Sequence, residues 1–127
     1  MRETKYWTWH MAAGAVIFVL LGVHMLTMHA GGLTGLFVAH PGEESVAPAN
    51  SQARDANALF VVAYPLLLGI ALYHGLYGLR TILFELTLKS AAEKAITVIL
   101  LILGLGLFGL GTWAAIAAHS AAVIARG

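Results

Sequence analysis

The sequence contains no cysteine, which excludes disulfides, thiolate nucleophiles, cysteine-bound zinc and iron–sulfur clusters. Any metal must rest on histidine or carboxylate. Charge is scarce as well: 10% of the 127 residues are Asp, Glu, Lys or Arg, and seven basic against six acidic side chains leave a formal charge of +1. No basic cluster interleaves with aromatics along a path that could follow a phosphate backbone, so nucleic acid is not the partner. Paired carboxylates, a nucleophile beside a base, and a phosphate-cradling loop are also missing. There is no internal repeat and no low-complexity tract. What the chain has in excess is apolar side chains, 60% of the total, more than one soluble domain of this length could bury. A water-soluble monomer is excluded.

The few charges divide the chain. None occurs in 6–42, 56–79 or 95–125, and each interval can hold a membrane-crossing helix of roughly 20 residues. The expected architecture is all-α and integral to the membrane: helix I at about 6–30, helix II at about 57–84 and helix III at about 95–122. A loop at about 31–56, rich in Gly, Pro, Ser and Asn, joins the first two, and a link at about 85–94 joins the last two. The first apolar stretch is too long for a signal-peptide core and no small-residue cleavage site closes it, so it reads as a retained span. Placing the N-terminus and the 85–94 link on one side collects Arg2, Lys5, Arg80, Lys89 and Lys94 there, against Arg54 and Arg126 on the other. The positive-inside rule then puts the N-terminus in the cytoplasm and the C-terminus outside, with Tyr6, Trp7 and Trp9 as an inner aromatic belt.

Two local features bear on helix packing. Pro65 removes a backbone donor near the start of helix II and should bend or loosen it. Helix III contains a literal GxGxxG at Gly104-Leu-Gly106-Leu-Phe-Gly109. No strand–turn–helix unit surrounds it, so a dinucleotide fold is rejected in favour of close helix approach or the approach of a flat ligand.

The chemistry rests on histidine, because an ionisable group at membrane depth is costly without a partner. His24 and His74 fall inside the expected spans; His10 and His29 lie near opposite ends of helix I, His40 in the loop and His119 near the outer end of helix III. His74 stands about 9 Å from Arg80 along a helix, with Gly78 one turn on where a bulky residue would block a planar macrocycle. Arg80 suits a haem propionate or a quinone oxygen, because guanidinium matches planar, bidentate acceptors. A histidine hydrogen-bonded across helices, with Gly for packing, is the competing reading of the same residues. His24 follows His10 by 14 residues, about 21 Å of rise on nearly one helix face, which places it in the outer half and His74 in the inner half. A level difference of roughly 10 Å is expected between them, whereas two nitrogens on one iron are about 4 Å apart. Each therefore needs a second ligand from another polypeptide or another copy. His10 and Trp9, at the inner interface, are candidates for a quinone carbonyl or a propionate, or plain interfacial residues. The methionines Met11, Met25 and Met28 read mainly as packing residues, and His29, His40 and His119 as interfacial or solvated.

The stretch Ala71-Leu-Tyr-His74-Gly-Leu-Tyr-Gly78-Leu-Arg80-Thr-Ile resembles the His-x3-Gly-Leu-Arg signature of the small membrane-anchor subunits of succinate dehydrogenase and fumarate reductase. Trp9-His10-Met-Ala-Ala-Gly14 followed by Leu21-Gly22-Val23-His24-Met25 is similar to the first span of the second, D-type anchor, and the resemblance extends over nearly the whole chain. It implies a haem b-binding subunit, with one or two haems shared with a second, C-type anchor in a larger helical bundle of the cytoplasmic membrane. His74 would be an axial ligand of the inner haem iron and His24 of an outer one. Electrons would pass between a cytoplasmic iron–sulfur subunit and membrane quinone, menaquinone or ubiquinone, while a flavoprotein subunit carries out the succinate–fumarate chemistry of this respiratory-chain enzyme. Met11 stands where many anchors carry Arg, Ala13 where they carry Ser or Thr, and Glu85-Leu86 where an acidic-Tyr pair is common. The quinone contacts of those positions are then expected from the companion subunit. Two alternatives remain: a cytochrome b subunit of another membrane oxidoreductase, such as a formate dehydrogenase or nitrate reductase, and a haem-free structural anchor or assembly subunit.

Overall fold

A computed structural model describes residues 2–29, 47–86 and 89–125. His40 and the side chains of Met28 and His29 lie outside the described residues. Among the described residues four helices follow one another, α1 (Arg2–His29), α2 (Pro48–Asp55), α3 (Ala58–Phe84) and α4 (Ser90–Ile124), and no strand occurs. Three of them, α1, α3 and α4, are long and apolar enough to cross a membrane. The chain is all-α and has the character of a multi-pass membrane protein.

The helices outrun the apolar intervals that announced them. At 1.5 Å per residue the 35 residues of α4 reach about 52 Å, against a hydrocarbon core of about 30 Å. α4 starts at Ser90 rather than near 95, since Ala91, Ala92 and Glu93 are good helix formers and Glu93 in the first turn suits the positive end of the dipole. Charge marks where lipid stops, not where the helix does. Within the segment read as a loop, α2 forms because Pro48 sits at its first turn, where a missing N–H costs nothing, and because the helix packs on α4 and α3. α3 runs through Pro65 without interruption.

α3 is the middle element, with α1 against one side and α4 against the other; among the described residues the backbones of α1 and α4 do not approach closely. A row of helices has no enclosed interior, and only Arg54 and Ala122 are buried among the described residues. Phe18 is 82% and Trp113 67% exposed; in a membrane, lipid or another subunit covers such surfaces. The α3/α4 seam closes on glycine: a Cβ on Gly104 would lie 2.7 Å from Leu76 Cδ1, and one on Gly111 would overlap Leu68. Gly106 and Gly109 face open space, so close helix approach explains two glycines of that helix and leaves two unexplained.

Asn57 caps α3, its side chain accepting the Leu59 N–H at 2.9 Å. Asn57→Ala is expected to cost about 1 kcal/mol, read as a lower thermal midpoint in detergent, with Asn57→Ser close to the parent.

Candidate functional site

Helices α1 and α3 each carry His-x3-Gly, and the two copies mate head to tail. A Cβ on Gly78 would lie 3.2 Å from His10 Cε1, and one on Gly14 would lie 2.8 Å from His74 Cε1. Each glycine therefore opens the space that the other helix's imidazole fills. The rings stack with centroids 4.1 Å apart and planes 7° from parallel. Tyr77 flanks His10 at 5.1 Å, and one turn back along α3 the Tyr73 hydroxyl donates to the Tyr6 carbonyl at 3.0 Å.

The hydrogen bonds fix the state of one ring. His74 Nδ1 lies 3.1 Å from the His10 carbonyl; a carbonyl only accepts, so Nδ1 carries the proton and donates. In a neutral imidazole the lone pair then sits on Nε2. His10 differs, because its Nδ1 is buried without a hydrogen-bond partner. An unsatisfied buried nitrogen of this kind costs about 1–3 kcal/mol, which marks it as a place where a polar group of a ligand or partner is favourable.

The remaining sequence candidates are distributed differently. His74 and Gly78 face α1, whereas Arg80 turns to α4: its Nε donates to Thr97 Oγ1 at 3.1 Å and its guanidinium lies 4.1 Å over the Phe84 ring. Thr97 Oγ1 in turn donates to the Glu93 carbonyl at 2.8 Å. Arg80 is thus not on the face of His74. The room beside Gly78, expected to receive a macrocycle, is filled by His10, while Gly75, next to His74, faces open space. Trp9 is 68% exposed. His24 is half-buried on α1, ten residues beyond Gly14, so it stands about 15 Å from the level of His74 rather than the expected 10 Å. His119 Nδ1 donates to the Asp55 carbonyl at 2.6 Å and ties α4 to the end of α2.

Two clefts share Arg80 and Tyr77. One, of about 530 Å³, opens between α1 and α3 and is lined by Thr4, Trp7, Tyr77, Arg80, Thr81, Phe84 and Glu85. The other, of about 480 Å³, follows the α3/α4 seam from Gly69 and Phe108 to Arg80 and Thr97. Thr97→Val keeps the side-chain volume but removes the acceptor of Arg80, and is expected to cost about 1–2 kcal/mol in detergent unfolding, with Thr97→Ser near neutral.

The sequence reading placed His10 at the inner interface, as a candidate for a quinone carbonyl or a propionate or as a plain interfacial residue, and missed its partnership with His74. The signal was the second His-x3-Gly, which in an antiparallel pair of helices predicts reciprocal contact. Among the described residues no three His, Asp or Glu converge on a point that could hold a metal by themselves. Compared with protein-family models, curated proteins and solved structures, the chain matches none.

Proposed function

We propose that the chain is a haem b-binding membrane-anchor subunit of a succinate:quinone or quinol:fumarate oxidoreductase. The observation that carries this reading is the Nδ1–H of His74 held by the His10 carbonyl. That arrangement aims the lone pair through Nε2 and is the way an axial histidine is ordinarily oriented by its surroundings. The sequence around His74 supports it through the family signature quoted above. The donor set fits in part: a neutral, oriented imidazole and no competing thiolate are present, while Arg80 faces α4 rather than His74. A bound haem supplies one-electron transfer; the chain contributes orientation of the ligand and exclusion of water from the slot.

His24, on another level of α1, is assigned to a second haem, with the opposite ligands coming from a C-type anchor. Arg80 is assigned to a propionate or a quinone oxygen, and His10 and Trp9 to the quinone side, where the unpartnered His10 Nδ1 can donate to or accept from a quinone or its quinol. The iron–sulfur and flavoprotein subunits dock on the cytoplasmic face, the side of the N-terminus. Trp7, Trp9, Lys89 and Lys94 are assigned to that docking face, with Trp7 beside the cleft.

A haem-free structural anchor is the second reading, and the His10–His74 stack favours it. Two imidazoles packed reciprocally on glycines clamp α1 to α3 without any cofactor. The haem-to-chain ratio of the complex purified in mild detergent separates the two. One or two b-type haems per chain are expected, and a ratio of zero with the full set of subunits present leaves only the structural anchor.

A further inference from the structure

The end of the bundle where α2 meets α3 holds a cation with no counterpart among the described residues. Arg54 exposes 6% of its surface, and neither its Nε nor its Nη1 has a hydrogen-bond partner. The backbone around it is pinned: the Arg54 carbonyl accepts the Asn57 N–H at 2.9 Å, and the next carbonyl, of Asp55, receives the His119 ring N–H at 2.6 Å. The other buried described residue, Ala122, lies on the last turns of α4, the helix on which α2 packs.

Burial of this group has no remedy among the described residues. Lysine or histidine in a dry site can shed its proton, but guanidinium keeps its charge. Arg54 stands in the last turn of α2, where the helix dipole favours a cation. The dipole leaves the Nε and Nη1 donors unfilled. A buried charge is tolerable when it is paired and its donors are satisfied, so the arrangement is complete only with an anion present.

Height limits the source of that anion. His119, which meets the residue after Arg54, is 24 positions beyond Ala95, about 36 Å along α4. A hydrocarbon core of about 30 Å that begins near Ala95 therefore ends just short of Arg54. That is the level of lipid phosphates.

We propose that Arg54 binds a phosphate oxyanion at this end of the bundle, taken from the headgroup of an anionic phospholipid or from free phosphate. Guanidinium is suited to phosphate, whose oxygens accept two parallel N–H bonds. The bound anion locks α2 over the ends of α3 and α4. This site is independent of the haem reading.

The test uses the full-length chain, stripped of lipid in neutral detergent. It is returned to a neutral glycolipid alone, to the glycolipid with phosphatidylglycerol, or to the glycolipid with millimolar inorganic phosphate. Wild-type protein is expected to gain several degrees in thermal midpoint with phosphatidylglycerol and to retain that lipid in native mass spectrometry. Arg54→Gln should weaken retention about tenfold or more, and Arg54→Lys less, because it keeps the charge but not the planar fork. A change of sign distinguishes this from ordinary packing. In glycolipid alone Arg54→Gln should be at least as stable as wild type, since it removes an uncompensated charge; with the anion present it should be less stable. An equal gain from inorganic phosphate assigns the site to the free ion. A wild-type midpoint indifferent to both anions, or an Arg54→Gln loss of the same size in every condition, overturns the proposal.

Discussion

If His74 ligates haem as proposed, alanine in its place is expected to abolish one b-type haem from the purified complex, removing all reduced b-type absorbance if there is one haem and about half if there are two. It also removes a stacked ring and a hydrogen bond at part-buried positions, so α1 and α3 should lose about 2–3 kcal/mol of association. The control is His10→Ala, which breaks the same stack but leaves the His10 carbonyl in place to hold Nδ1 of His74. If ligation by His74 is right, His10→Ala keeps the spectrum and shifts only stability and quinone kinetics. Identical haem content in wild type, His74→Ala and His24→Ala would sink the haem assignment.

The second large effect is at Gly14. A methyl group there would stand 2.8 Å from His74 Cε1, and the ring cannot swing away without losing its stack and its carbonyl. Overpacking of a rigid neighbour costs about 1–3 kcal/mol, offset in part by the roughly 1 kcal/mol helix preference of Ala over Gly. Gly14→Ala should therefore be net destabilising, and Gly14→Leu strongly so, in unfolding by sodium dodecyl sulfate in mixed micelles. Two comparisons fix the interpretation. Gly104→Ala meets Leu76 Cδ1 at 2.7 Å, but that atom is the tip of a rotatable side chain and can move aside, so a loss under about 1 kcal/mol is expected. Gly75→Ala meets nothing within 4 Å and should be neutral or slightly stabilising. Equal effects at Gly14 and Gly75 would show that the imidazole does not fill the space facing Gly14.

Three spans were legible because the membrane makes a coarse demand, long uncharged runs, and three such runs are present. Their ends were less legible, since Glu93 and Lys94 are charged yet helical. Helix α2 was hidden because what stabilises it is contact with α4 and α3, which no window of sequence displays. At the site, a difference in level of roughly 10 Å between His24 and His74 was expected from helix placement and residue spacing, and the register of α1 on α3 makes it about 15 Å. The partner of His74 was not found that way. Spacing from His10 to His24 was counted along one helix, whereas the contact that matters joins His10 to a residue 64 positions away. Arg80 shows the same limit: six residues from His74 is close along the axis but well round the helix, and only the position of α4 decides that it turns toward Thr97.

The central position of α3 has a consequence for biogenesis. In the order of synthesis α1 leaves the ribosome before the helix it packs on, because among the described residues its helix–helix contacts are all with α3. About 55 further residues must be made before Phe84 emerges, roughly 3–11 s at 5–20 residues per second. For that interval His10 waits in the insertion machinery without the ring it will stack upon, and it is then that a newborn chain most needs an insertase to shield a polar group from lipid.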